Sequence, residues 1–302
     1  MRVLTFSRES YPAEFSTSYV LTHLGMALEH LGHESHLYNV NRRPMRLLDY
    51  LQAYEFDLIL LDVDFLHADD VWRTLRQFRR QEPVRIAGAL FRLPPPPPGP
   101  AWDIMDLVFT PWKGEAVRKL ASSQDVRYLP LGYNTRMHTR KTELPPLGPV
   151  FVGNTTGAKR LQSEAYLEAL RNERIVLCLG PGFEQKALDP LMLGPVYAAA
   201  RCLPNFHYSW EKGDDTILNE RFWQTARCGI PVNDCTPLMR ELWDRTLLEN
   251  FAFADKREWQ DRIRALQAGA VALEPALIEK LNRSMAGHSY EDRVKTLLAW
   301  FE

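Results

Sequence analysis

Only four cysteines occur in 302 residues, Cys178, Cys202, Cys228 and Cys235, with no Cys-x-x-Cys pair and no zinc-type spacing to histidine. That excludes a disulfide-stapled scaffold and a zinc module, and makes reduced thiols the expectation. An excess of charge is missing too: 37 Lys and Arg stand against 38 Asp and Glu, a net charge of -1. Neither half is a polyelectrolyte, so binding driven by long-range attraction to nucleic acid or to an anionic membrane is not expected. No apolar run approaches a membrane span, and the one at the N-terminus is too short for a signal peptide. A cytoplasmic protein without membrane insertion is the expectation.

What is present is an alternation of strands and helices in two halves. Residues 2–6, "HESHLYNV", "FDLILLDVD", "VRIAGALF", "IMDLVFTP" and "VRYLPLGY" read as strands. Between them, a helix capped by Ser16 or Thr17 carries Val20, Leu24, Ala27, Leu28 and Leu31 at helical spacing and stops at Gly32. "DDVWRTLRQFRRQ" and "GEAVRKLASS" read as further helices. Continuously apolar strands alternating with helices predict an α/β fold with a parallel, doubly wound sheet. "LPPPPPGP" reads as a stiff polyproline II connection.

The proline cluster at 143–149 marks a change of composition, after which "PVFVG", "RIVLCLGPG", "NFHYSW", "IPVND" and "NFAFAD" repeat the pattern. Helices are expected from Lys159 to about Asn172, from Pro190 to Ala200 and from Asn219 to Arg227. The expected division is therefore 1–146 and 147–285, two Rossmann-like domains facing a central cleft. A C-terminal helix, 286–302, would pack back on the first domain.

Residues 150–161, "VFVGNTTGAKR" with the following Leu, have the look of a phosphate cradle but not the spacing of a Walker site. Three residues instead of four separate Gly153 from Gly157, and Ala158 and Arg160 break the Lys-Ser/Thr ending. What remains is a helix start with backbone N–H groups, close-approach glycines and the cations Lys159 and Arg160, which suits some other anion. A second segment, "DDTILNERFWQTARCGIPVND" at 214–234, carries a helix with Asn219, Glu220 and Arg221 in its first turn. Phe222 and Ala226 are expected to face the core, Gly229 stops the helix and Pro231 enters the next strand.

"LNERFWQTARCG" within this segment resembles the Leu-Asn-x-Arg-x-Phe-Glu type segment followed by Ala-x-x-Cys-Gly of the spore-maturation CgeB-like glycosyltransferases, a family of the two-Rossmann GT-B architecture. "HLGMALEHLGHE", "YLPLGYNTRMH", "VFVGN", "VLCLGPG" and "HSYEDRVKTLL" agree in order, so the resemblance covers nearly the whole chain. It implies transfer of a sugar from a nucleotide-diphosphate donor, with UDP-sugar favoured and no cofactor or metal required. The second domain would hold the donor and the first the acceptor, whether glycan, protein or another hydroxyl-bearing molecule. It implies donor contacts from Gly153, Asn154, Lys159, Arg160, Gly180, Gly182, Asn219, Arg221 and Gln224. Arg160 suits a bidentate phosphate contact and Lys159 a point charge. Glutamates that many such enzymes carry around this helix are replaced here by Thr216 and Gln224, which leaves the ribose contact open and allows a non-catalytic sugar-nucleotide or glycan binding protein as the alternative.

A base for the acceptor would come from loops at the C-terminal strand ends of the first domain, with Glu9, Glu14, Asp62 or Asp64 as candidates. "DVD" at 62–64 also reads as an ordinary strand-end turn. Trp210 could stack a base or pack in the core. His23, His30 and His33 lack metal geometry. Arg73, Arg76 and Arg80 share a helical face with Arg79 beside them, which reads as a solvated face. It would meet phosphates if the acceptor were a modified DNA base, a third reading of the chain.

Overall fold

The computed structural model describes residues 1–7, 17–39, 45–63, 69–91, 102–153, 164–170, 177–179, 188–207 and 216–302. They form two compact units, one of Met1–Pro130 with Tyr290–Glu302, the other of Leu131–Ser289.

The first unit is a six-stranded parallel sheet. In chain order it runs β1 (Arg2–Ser7), α1 (Thr17–His30), β2 (Glu34–Asn39), α2 (Leu47–Ala53), β3 (Leu58–Asp62), α3 (Asp69–Arg79) and β4 (Arg85–Ala89). A 3-10 turn at Trp102–Ile104, β5 (Leu107–Thr110), α4 (Glu115–Ala121) and β6 (Val126–Tyr128) follow. The spatial order is β2-β1-β3-β4-β5-β6. β3, "LILLD", is buried along its whole length between two neighbours, which is why it reads as an unbroken apolar run. β6 ends at Tyr128, short of the expected span, because Pro130 cannot donate to the ladder. α2, not anticipated from the sequence, packs Leu51 and Tyr50 against the core that holds Phe56 and Tyr38.

The second unit contains β7 (Val150–Val152), α5 (164–170), β8 (Leu177–Leu179), α6 (Pro190–Ala199), β9 (Leu203–Asn205) and α7 (Glu220–Cys228). β10 (Pro231–Asp234), α8 (Pro237–Leu242), α9 (Arg245–Phe251), β11 (Ala252–Phe253), α10 (Lys256–Gln267) and α11 (Pro275–Ser284) follow. β7 pairs with β8 and β10 pairs with both β9 and β11, all parallel. The Val150 N–H donates to the Cys202 carbonyl at 3.0 Å, bringing β7 alongside β9, so the strands run β8, β7, β9, β10, β11.

β9 begins two residues before Asn205 and ends there, so "NFHYSW" contributes one residue to the strand rather than forming it. Most of "NFAFAD" is likewise not strand: α9 runs through Phe251 and only Ala252–Phe253 pair. The change of unit comes at Pro130–Leu131, ahead of the proline cluster. Residues 131–146 pack with the second unit, where Arg140 donates from Nε to Asn282 Oδ1 (2.6 Å) and from Nη2 to the Ala226 carbonyl (3.0 Å).

The last helix, α12 (Tyr290–Ala299), returns to the first unit and packs on α1. His23 stacks on Tyr290 at 5.0 Å, and His30 Nδ1 lies 3.0 Å from Glu291 Oε1. No helix among the described residues is long and apolar enough to cross a membrane.

Candidate functional site

In open parallel sheets, ligands bind beyond the C-terminal strand ends where the strand order reverses. In the second unit the chain leaves β7 for β8 on one side and then returns to β9 on the other, so that point lies at Gly153 and Asn205. α7 opens at the same edge. Its N-cap is Asn219, whose Oδ1 accepts from the Phe222 N–H at 3.0 Å and whose Nδ2 donates to the Phe206 carbonyl just past β9 at 3.1 Å. The helix holds this direction because Phe222 and Ala226 are wholly buried and Gly229 ends it, its N–H bonded to the Thr225 carbonyl.

Arg221 stands in the first turn of α7. Its guanidinium lies 4.5 Å from the Phe151 ring centroid and 5.9 Å from that of Phe206, and Nη1 donates to Asn205 Oδ1 at 3.3 Å. The platform is rigid: Phe151, Phe206 and Tyr166 stack at 5.2 and 5.1 Å with nearly parallel planes. Asn205 is fixed from behind, since its Nδ2 donates to Asn233 Oδ1 (2.9 Å) and Asn233 Nδ2 donates to the Phe251 carbonyl (3.2 Å). Gly153 leaves the guanidinium its space, because a Cβ there would come within 2.7 Å of Nη2. Arg221 and Asn219 are partly exposed. A guanidinium beside the positive end of a helix, on an exposed edge, is suited to binding an anion with two oxygens presented together.

Of the residues expected to bind a donor, the structure brings Gly153, Asn219 and Arg221 to one edge. Gln224, a turn further along α7, is packed in the interior at 4% exposure, and Thr216 is buried as well. Asn154, Lys159, Arg160, Gly180 and Gly182 lie outside the described residues, as do Glu9, Glu14, Asp64 and Trp210.

Asp62 closes β3 in the first unit. There β1 has β2 on one side and β3 on the other, so the strand order reverses between β1 and β3 and Asp62 stands at that unit's switch point, nearly buried. The arginine face of α3 is engaged locally: Arg79 pairs with Asp106 and donates to the Ile104 carbonyl, Arg76 lies 3.5 Å from Asp103, and Arg73 and Arg76 flank the Trp72 ring. Among the described residues no cluster of three His, Cys, Asp or Glu side chains is arranged to hold a metal ion.

Sequence reading missed Asn205, His207, Asn233 and Asp234. For Asn205, Asn233 and Asp234 a signal is present in "LPN" and "PVND", strands that end on carboxamides or a carboxylate, as strands do where they meet a polar site; His207, two residues beyond β9, carries none.

No family model and no curated protein matches the sequence. Solved structures do match, over nearly the whole length of both chains. A DNA-modifying β-glucosyltransferase, studied with and without uridine diphosphoglucose, has 12% identity and a TM-score of 0.58, covering 99% of this chain and 98% of its own. An α-glucosyltransferase in complex with UDP and a 13-mer DNA containing an HMU base has 10% identity and a TM-score of 0.55, covering 97% and 95%. The α-glucosyltransferase bound to UDP and a DNA with a central A:G mismatch has 12% identity and a TM-score of 0.57, covering 100% and 99%. At this level of identity the likeness is one of fold, and the fold is the α/β architecture of two Rossmann-like domains found in GT-B glycosyltransferases.

Proposed function

We propose that this chain is a glycosyltransferase that moves a sugar from a nucleotide-diphosphate donor, UDP-sugar favoured, to an acceptor hydroxyl, and that it is related to the CgeB-like family it resembles. The observation that carries the reading is the convergence of Gly153, Asn205, Arg221 and the α7 N-terminus at the switch point of the second unit. Glycosyl transfer develops negative charge on the departing diphosphate. A fixed guanidinium and a helix N-terminus oppose that charge without needing to reorganise, which is the electrostatic contribution the step requires. In this reading the same groups let the diphosphate depart without a metal. Asn154, Lys159, Arg160, Gly180 and Gly182 would complete the donor site, and Gln224 would support α7 from within.

The acceptor would enter over the first unit, with the deprotonating base drawn from Asp62, Glu9 or Glu14. Asp62 supports this reading by closing β3 at that unit's switch point.

UDP titration of the native protein and of Arg221→Ala tests the donor site. A charge-assisted hydrogen bond contributes about 1.5–3 kcal/mol, so affinity should fall roughly 10- to 150-fold in the variant. Failure of UDP, GDP, dTDP, CMP and ATP alike to stabilise the native protein against heat would overturn the reading, since saturating ligand adds a readable increment.

A specific observation favours one acceptor class: a DNA-modifying β-glucosyltransferase and an α-glucosyltransferase in complex with DNA both match almost end to end. A modified DNA base is therefore the first acceptor to test, as sugar transfer to a duplex containing an HMU base. The α3 arginines would contribute little, because Arg76 and Arg79 already have aspartate partners.

A further inference from the structure

We propose that His207 and Asp234 form a buried positioning pair that sets the N-terminus of α7, and with it Arg221, for the diphosphate of the donor. The proposal rests on the donor-site reading above.

Asp234 is the last residue of β10 and His207 lies two residues beyond the end of β9. Their side chains are 1% and 0% exposed. The Asp234 carboxylate receives the His207 backbone N–H at 2.9 and 3.0 Å on its two oxygens and His207 Nδ1 at 2.8 Å on Oδ1. An imidazole nitrogen facing a carboxylate oxygen must carry the proton, so Nδ1 is the donor. In the neutral ring Nε2 then holds a lone pair, and it faces the backbone N–H of Asn219 at 3.4 Å.

Asn219 is the N-cap of α7, and this cap is held at three points. The ring of His207 takes its N–H, the Phe206 carbonyl takes its Nδ2, and its Oδ1 receives the Phe222 N–H. Arg221 follows two residues later on the same turn.

The opposite tautomer would aim an N–H at the Asn219 N–H and set a lone pair against the carboxylate, two repulsions in a buried place. The Asp234 charge therefore selects the tautomer, and the tautomer decides whether the helix start is accepted. An apolar pair of similar volume would fill this space without the cost of desolvating a carboxylate. A polar relay that ends on the N-cap is explained by what stands two residues further on. Misplacing a reacting or charge-stabilising group by about 1 Å can cost on the order of 100-fold in rate.

The test begins with the native protein labelled with 15N-histidine. Nδ1-protonated His207 is expected, and an Nε2-protonated ring at neutral pH would overturn the proposal. UDP affinity is then compared for His207→Phe, which removes both contacts, and His207→Gln, which keeps an amide donor for Asp234 and an oxygen for Asn219. The expected result is a loss of about tenfold or more for Phe and near-native binding for Gln, with the KM for acceptor unchanged in both. Equal affinity in Phe and native protein, or equal loss in Phe and Gln, would show that the pair does not position the site. If the variants do not fold, the native tautomer decides. Native protein that binds no nucleoside diphosphate would remove the donor reading itself. UDP binding that depends on Arg221 but ignores His207→Phe would remove only the pair.

Discussion

Gly153→Ala separates the geometry of the phosphate-binding edge from its stability. The added Cβ would lie 2.7 Å from Arg221 Nη2 and 2.9 and 3.0 Å from two atoms of the Phe151 ring. The ring is held in a stack with Phe206 at 5.2 Å and is 1% exposed, whereas the guanidinium is the far end of a partly exposed chain, so Arg221 is the group that moves. Two terms act on stability. Alanine restricts the unfolded chain, which stabilises by about 0.4–1 kcal/mol, and crowding costs about 1–3 kcal/mol. They leave a net loss of about 1 kcal/mol, a fall in melting temperature of roughly 2–4 °C. Donor binding loses the whole charge-assisted contact, about 1.5–3 kcal/mol or roughly 10- to 150-fold in Kd. The assay is UDP calorimetry on Gly153→Ala, Arg221→Ala and the double variant. Once Arg221 is gone the alanine has no phosphate-binding group left to displace, so the double variant should bind as Arg221→Ala does, a coupling about as large as the single effect. Additive losses would refute the argument, because Gly153 would then act on the ligand by another route. Native affinity in Gly153→Ala would refute it as well.

Three further outcomes concern the frames of the two units. His138 is fully buried with Nδ1 accepting the Asn134 N–H at 2.9 Å, and burial, with Arg227 nearby, pushes its pKa from 6.5 down to about 4. Between those values the unfolded chain binds a proton that the native state does not, so stability is lost as pH falls from 6.5 toward 4 and this group takes no more below that, about 3 kcal/mol in all. Urea denaturation at pH 7 and 4.5 should show that loss, reduced in His138→Gln; an unchanged slope in the variant would assign it to other groups. Gly194→Ala would set a Cβ 1.8 Å from the Met137 carbonyl oxygen, and Gly88→Ala would set one 2.2 Å from the Met105 sulfur. Backbone cannot yield as a methionine does, so the first should cost about 3 kcal/mol or more and the second about 1–3 kcal/mol, read by denaturant melts.

Periodicity made most of the fold legible because its central strands are buried on both faces. "FDLILLDVD" could hardly be anything else once a helix pattern followed it. The same clarity failed where local chemistry competes with the ladder: Pro130 cut β6 short, and α9 took Asn250 and Phe251 from the start of "NFAFAD" because Asp244 caps a helix there, accepting the Leu247 N–H at 3.1 Å. The site was half visible. Asn219 and Arg221 advertise themselves as polar residues opening an amphipathic helix, and Gly153 as a glycine ending a strand. Asn205, Asn233, His207 and Asp234 do not, because the partners in each pair stand 28 and 27 residues apart in sequence and meet only through the parallel pairing of β9 and β10.

The two units also differ in when they could be finished. Leu131–Ser289 is a single continuous stretch, so every residue of the second unit has been synthesised before Tyr290 is added. The first unit, begun earlier, still lacks the helix that lies on α1, and its contact between His30 and Glu291 joins residues 261 positions apart. Loop closure over such distances is slow. On the ribosome, the half of the molecule made second can be the half completed first, and until the last helix arrives the apolar flank of α1 is a surface that other chains can reach.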